Sequence, residues 1–185
     1  MSKLDQVTFP KINLISLLAG ALALASVFFP WWGIDATGFG STFSSRWTLW
    51  NAPSMDTIFR GSSQQYSTLA AWSPVIGAAV IVSALLAFLG SFVRNTRLLI
   101  ASFILNILTP IAYLGIVSYS VTNACSGQAN CLSGPFGTET LLASITLTWG
   151  FQIGFYLYII AGTLTLIALG FHRIFHKQLP RASPT

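Results

Sequence analysis

The sequence predicts an all-α membrane protein, a four-transmembrane-helix bundle forming a single domain over residues 1–185, and three observations carry that expectation. Apolar residues make up 54% of the chain and charged residues only 7%, where soluble domains carry about 25% charge. The few charges are grouped and leave long uncharged apolar runs, each near the length of about 20 residues that a helix needs to cross a hydrocarbon core of about 30 Å. The basic residues flank these runs, mostly on one side. Helix is the expected state because backbone groups in lipid must be satisfied within the segment, and the runs lack the alternation of barrel strands.

The first span is expected over about 12–32, opened by Lys11 and closed by Phe28, Phe29, Pro30, Trp31 and Trp32. The tryptophan pair reads as an interfacial belt with its rings at headgroup level. The second covers about 72–93, with Pro74 in its first turn, a position that tolerates proline. The turn Arg94–Arg97 leads to a third span over about 98–119, and the fourth covers about 149–171, with a possible earlier helical start near Leu141. Outer loops then fall at 33–71 and 120–148, and a tail at 172–185. A rival reading of the N-terminus takes Ala23-Leu24-Ala25 as a signal-peptidase site. It would leave three spans, but the apolar run continues past it to Trp32.

Charge sets the expected orientation. Lys3, Lys11, Arg94, Arg97, Arg173, Lys177 and Arg181 lie on one side, against Arg46 and Arg60 on the other. The positive-inside rule places the first side, with both termini, in the cytoplasm and makes this a multi-pass protein of the cell membrane. No Lys/Arg patch interleaved with aromatics suggests a nucleic-acid partner; the lipid bilayer is the expected one.

Helix association in lipid relies on small residues and interhelical hydrogen bonds. Candidate packing positions are Gly20 on the first span, Ala79, Ser83 and Ala87 on the second, Asn106 on the third, and Gly150, Gly154 and Gly162 on the fourth. Pro110, four residues after Asn106, is expected to kink the third span.

The spans carry no Asp, Glu, Lys, Arg or His. Intramembrane ionisable groups are the usual carriers of protons and ions, so a pump or proton-coupled transporter is not expected. His172 and His176 share a helix face, but no further ligand completes a metal site and Arg173 and Lys177 flank them; anchoring at the membrane surface is the expected role. No catalytic residues, cofactor or metal are assigned.

Cys125 and Cys131, the only two cysteines, lie in the second outer loop, on the side where disulfides persist. Closing their seven-residue loop is worth about 2.4 kcal/mol on a chain-entropy estimate. A redox-active pair is the alternative, resembling the four-span disulfide-bond oxidases of bacterial inner membranes; these need a second cysteine pair, which this chain lacks.

The first outer loop is long for a passive connection, and Arg46-Trp47-Thr48-Leu49-Trp50 alternates partly. A small extracellular hairpin or sheet is expected there. Arg46, Trp47, Leu49, Trp50, Phe59 and Arg60 form the candidate interaction surface. Trp32 and the Leu49-Trp50 pair, within a four-span chain with inside termini and a long first loop, resemble the claudin and peripheral-myelin-protein superfamily. The chain departs from that family in having Thr48 before the pair and no cysteines in the first loop. The expected function is a non-enzymatic scaffold or accessory subunit that contacts its own copies or another membrane protein through the outer loops. A quinone-linked redox or thiol-oxidising enzyme is the alternative, and a small-solute channel the third reading.

Overall fold

A computed structural model describes residues 12–51, 67–93, 95–124, 132, 134–141 and 144–175. The described residues hold four helices: α1 (Leu14–Ser26), α2 (Ser67–Phe92), α3 (Arg97–Ala124) and α4 (Ile153–Phe175). Strands β1 (Trp32–Gly38) and β2 (Ser41–Trp47) lie between α1 and α2, and β3 (Gly137–Leu141) and β4 (Ile145–Phe151) between α3 and α4. They form one antiparallel sheet in the order β2-β1-β4-β3. The expected small sheet is present, but it draws half its strands from the second loop as well as the first.

Among the described residues, three helices are long and apolar enough to cross a membrane: Thr68–Phe92, Arg97–Asn123 and Ile153–His172. The fold therefore shows three spans by length where the sequence predicted four. The first falls short because its helix stops at Ser26, after 13 residues or about 20 Å. Val27, Phe28 and Phe29 form a turn whose N–H groups donate to Leu24, Ala25 and Ser26. Pro30 then precludes further helix, and Trp32 opens β1. The fourth predicted span keeps its length but starts four residues later, because Ile145-Thr-Leu-Thr-Trp-Gly-Phe is strand β4 rather than helix. α2 and α3, by contrast, run longer than predicted. α2 starts five residues early, so Pro74 lies inside the helix and not in its first turn. Pro110 likewise lies inside α3.

α1 packs on both α2 and α4, α2 on α3, and α3 on α4. Asn13 ties the α1 start to its neighbours: its N–H donates to Ser91 O on α2, its Nδ2 to Ala168 O on α4, and its Oδ1 accepts from Ser16 N as the cap of α1. At the other end of α1, Trp31 sits under the first turn of α4, where Gly154 N donates to Pro30 O and a Cβ on Gly154 would lie 2.5 Å from the Trp31 ring.

The sheet has two unlike faces. Trp32, Ile34, Ala36, Trp47, Leu147 and Trp149 are buried and join the cluster that includes Leu69 and Ile76 of α2 and Val117 and Val121 of α3. The pairing puts Asp35, Ser44, Thr148 and Thr138 in one row on the opposite face, with Thr42, Thr37, Thr146 and Thr140 in the next. Period-two alternation of apolar and polar residues thus fixes which face meets the helices.

Candidate functional site

The polar outer face of the sheet is the candidate site. Asp35 is its charged centre: Arg46 Nη2 lies 2.8 Å from Oδ1 and 3.1 Å from Oδ2, and the Ser44 hydroxyl donates to Oδ1 at 2.6 Å. Partial burial raises the carboxyl pKa, but the Ser44 and Arg46 hydrogen bonds and the Arg46 charge outweigh it and hold Asp35 below its ordinary range. The Arg46 stem lies across Gly33 on the neighbouring strand, where a Cβ would fall 3.0 Å from Arg46 Cδ and 2.9 Å from Ser45 O.

Beside this pair lies a cleft of about 540 Å³ lined by Asp35, Phe136, Thr138, Thr148, Gly150, Phe151, Gln152 and Tyr156, among others. Thr138 and Thr148 hydroxyls are 3.4 Å apart across the β3–β4 pair. Gln152 is the one residue between β4 and α4, and its N–H donates to Trp31 O, which holds it where sheet and helix meet. Tyr156, on the first turn of α4, is exposed.

The far end of the sheet carries two exposed aromatic rings. β1 carries the chain about 20 Å from Trp32 to the turn at Phe39-Gly40, where both residues have positive φ and match a type I′ hairpin. Phe39 is 82% exposed, and Phe43 on the same hairpin 57%. Left-handed backbone is costly for a bulky residue, so the tip holds an aromatic ring outward at some strain.

No family model matches this chain, and no curated protein matches it.

The residues predicted as an interaction surface divide. Arg46 is half-buried in its ion pair. Trp47 and Leu49 are buried in the core and leave the exposed set. The Thr48 hydroxyl accepts from Trp50 N and Asn51 N, a tight turn that points Leu49 inward and lays the half-exposed Trp50 on α2, where a Gly77 Cβ would meet its ring at 2.8 Å. Phe59, Arg60, Cys125 and Cys131 lie outside the described residues, as does His176.

Trp31 and Trp32, expected at headgroup level, are both fully buried. Helix α1 ends five residues before Trp31, so the pair falls at the junction of helices and sheet. There Trp31 Nε1 donates to Ser26 O and Trp32 Nε1 to Pro135 O. His172 is also buried, with Nδ1 3.4 Å from Asn13 Nδ2, in place of the expected surface anchor.

Most packing residues are brought together. A Cβ on Gly20 would lie 3.1 Å from Ala84 O of α2, and one on Gly162 3.2 Å from Asn106 Cβ. Ala87 O accepts from Ser16 Oγ. Ser83 Oγ donates to Asn106 Oδ1 at 2.7 Å, and Asn106 Nδ2 donates to Thr165 Oγ1 at 3.0 Å, so one amide bridges α2, α3 and α4. Ala79 is half-buried on α2. Gly150 is not on a helix at all: it pairs with Gly33 in the sheet.

Sequence reasoning missed Asp35, Thr148, Gln152, Tyr156 and the Phe39 tip as site residues. The alternation of Ile145-Thr146-Leu147-Thr148-Trp149 was the available signal for β4, and through it for the cleft.

Proposed function

We propose that this is a non-enzymatic membrane protein of four crossings, a scaffold or accessory subunit that meets its partner through the extracytoplasmic sheet. The observation that carries the proposal is the asymmetry of that sheet. Its inner face is bound into the helices by buried tryptophans, while the outer face and the Phe39–Phe43 tip stay exposed. A rigid base with an exposed aromatic end is what a contact module requires, since ordering costs are met before the partner arrives. Exposed aromatics are also the side chains that dominate contact energies.

The fourth crossing is α1 together with Val27–Trp31. Asn13 is level with Ala168 and Trp31 with Gly154, so this segment rises through the same height as most of α4. Non-helical backbone is tolerated at membrane depth when protein satisfies it. Here the 27–29 N–H groups bond to α1, and Pro30 O and Trp31 O accept from Gly154 N and Gln152 N. The basic-residue bias supports cytoplasmic termini. The resemblance to the claudin superfamily fits this reading, with Trp32 and Leu49 at the base of the sheet and Trp50 resting on α2.

Crosslinking in native membranes, followed by native mass spectrometry in mild detergent, tests the proposal. The expected result is a complex, with itself or with another membrane protein, that is lost in Phe39→Ser/Phe43→Ser while the monomer stays folded. A wild-type protein that is strictly monomeric, with no co-purifying membrane protein, overturns it.

A further inference from the structure

Gly150 is the penultimate residue of β4, in regular register with Gly33 and without positive φ. Glycine weakens a strand interior, and where it is kept there it commonly marks a bulge, a bend or the close approach of another backbone or a ligand. The fold itself requires Gly33, whose Cβ would collide with Ser45 O. It does not require Gly150: a Cβ there would meet only Phe136 Cβ, at an ordinary 3.4 Å. Trp149 and Phe151 alternate to the inner face, so position 150 opens on the outer one, and it lines the cleft of about 540 Å³. A bare stretch of strand forms part of the wall of a cavity whose volume suits a small molecule, about 300–1,000 Å³.

The lining specifies the chemistry of the occupant. No lysine, arginine or histidine is among the described residues of the cleft, which offer a phosphate or carboxylate no cation beyond the neighbouring Arg46, already bound to Asp35. Its carboxylate, Asp35, is already paired with Arg46, which removes the attraction for a cation. What remains is Thr138, Thr148, the Gln152 amide and the Tyr156 phenol beside the ring of Phe136. Hydroxyls and amides both donate and accept, and so match ligand hydroxyls, while aromatic walls take the C–H face of a ring. We propose that the cleft over Gly150 binds a neutral saccharide, either free or as the headgroup of a glycolipid whose chains lie along α4.

The test uses the full chain in phosphatidylcholine nanodiscs, which avoids sugar-headed detergents. Free maltose is followed by saturation-transfer NMR, and a diglucosyl diacylglycerol added to the discs by its retention in native mass spectra. Binding of either supports the proposal: retention of the lipid alone assigns the headgroup, and a maltose signal the free sugar. Gly150→Val, which fills the cleft, and Thr148→Val, which removes an exposed hydroxyl at constant shape, are each expected to weaken binding by about tenfold, the scale of one lost hydrogen bond. Thr37→Val, one row further along the same face, is expected to bind as wild type. The Thr148 variant keeps the test valid if the Gly150 variant folds poorly. Absence of binding of both sugars to the wild type, or wild-type binding by folded Gly150→Val and Thr148→Val, overturns the proposal.

Discussion

Two polar clusters of this protein, one inside the helix bundle and one on the sheet, are built from different chemistry. Within the bundle, Ser83, Ser102, Asn106 and Thr165 are neutral and buried. Ser83 Oγ donates to Asn106, Asn106 to Thr165, and Ser102 Oγ to Ser83 O at 2.9 Å. On the sheet, Asp35 and Arg46 carry full charges that remain about one-third accessible, and the neutral Ser44 hydroxyl donates to the carboxylate. The difference follows from the surroundings. Among apolar helices an unpaired charge costs several kcal/mol, so a neutral amide that both donates and accepts can join three helices where no ion could. Near water a carboxylate and a guanidinium are cheap to keep, and for the same reason contribute little. The bundle cluster should therefore carry stability and the sheet cluster orientation, and four variants grade that contrast.

The largest effect is expected at the junction that both regions share. Trp31 meets Tyr113 edge-on at 5.1 Å and Phe155 at 5.8 Å, and its N–H closes on Ser26 O. Trp31→Ala should cost about 3–5 kcal/mol, as for other large aromatics cut from a core, measured by equilibrium unfolding in mixed micelles with far-UV circular dichroism. The sheet and α1 should loosen together. A loss under about 1 kcal/mol would mean the junction relaxes around the cavity and the two regions are held independently.

Next come the α3–α4 seam variants. Gly162→Leu drives a side chain against Asn106, whose Cβ already lies 3.2 Å from where the new Cβ would be. Overpacking of this kind costs about 1–3 kcal/mol. Asn106→Leu removes the bridge but leaves Ser83 near Ser102 and Thr165 bonded to Ala161 O, so about 1–2 kcal/mol is expected. Because the two positions touch, the double variant should fall short of the sum. Additive losses would show that amide and glycine act separately.

This contrast also explains what the sequence could and could not reveal. The long helices were legible because length and absence of charge suffice, whatever the packing. Asn106 was legible because a lone amide in an apolar run needs a partner. The end of α1 was not, since an apolar run closing on Phe-Phe-Pro-Trp-Trp reads the same for a helix ending at the membrane surface and for a chain turning into a strand. What separates them is Gly154, more than a hundred residues away, which makes room for Trp31. Trp47 and Leu49 failed for a related reason. The alternation at 46–50 overlaps β2 only at Arg46 and Trp47, where the register with β1 decides which face is covered, and Leu49 is turned inward by the Thr48 turn beyond the strand. Gly150 fitted a helical row of glycines in sequence and belongs to a strand in space.

The smallest effect, and the one that characterises the sheet cluster, is its pH dependence. Asp35 is held below its ordinary pKa in the folded protein by Ser44 and Arg46, against the opposing influence of burial. A depressed carboxylate contributes stability above the unfolded pKa of about 3.9 and loses it as pH falls through the lower folded value. Unfolding followed between about pH 6 and 2 should thus show a shallow decline that begins near pH 4 and is reduced in Arg46→Gln. At neutral pH the same substitution should cost at most about 1 kcal/mol, because both partners are partly solvated, and less in high salt. A larger, salt-insensitive loss would mean that the ion pair is desolvated in the membrane. It would then belong with the bundle cluster, as a second internal clamp, rather than with the exposed face it borders.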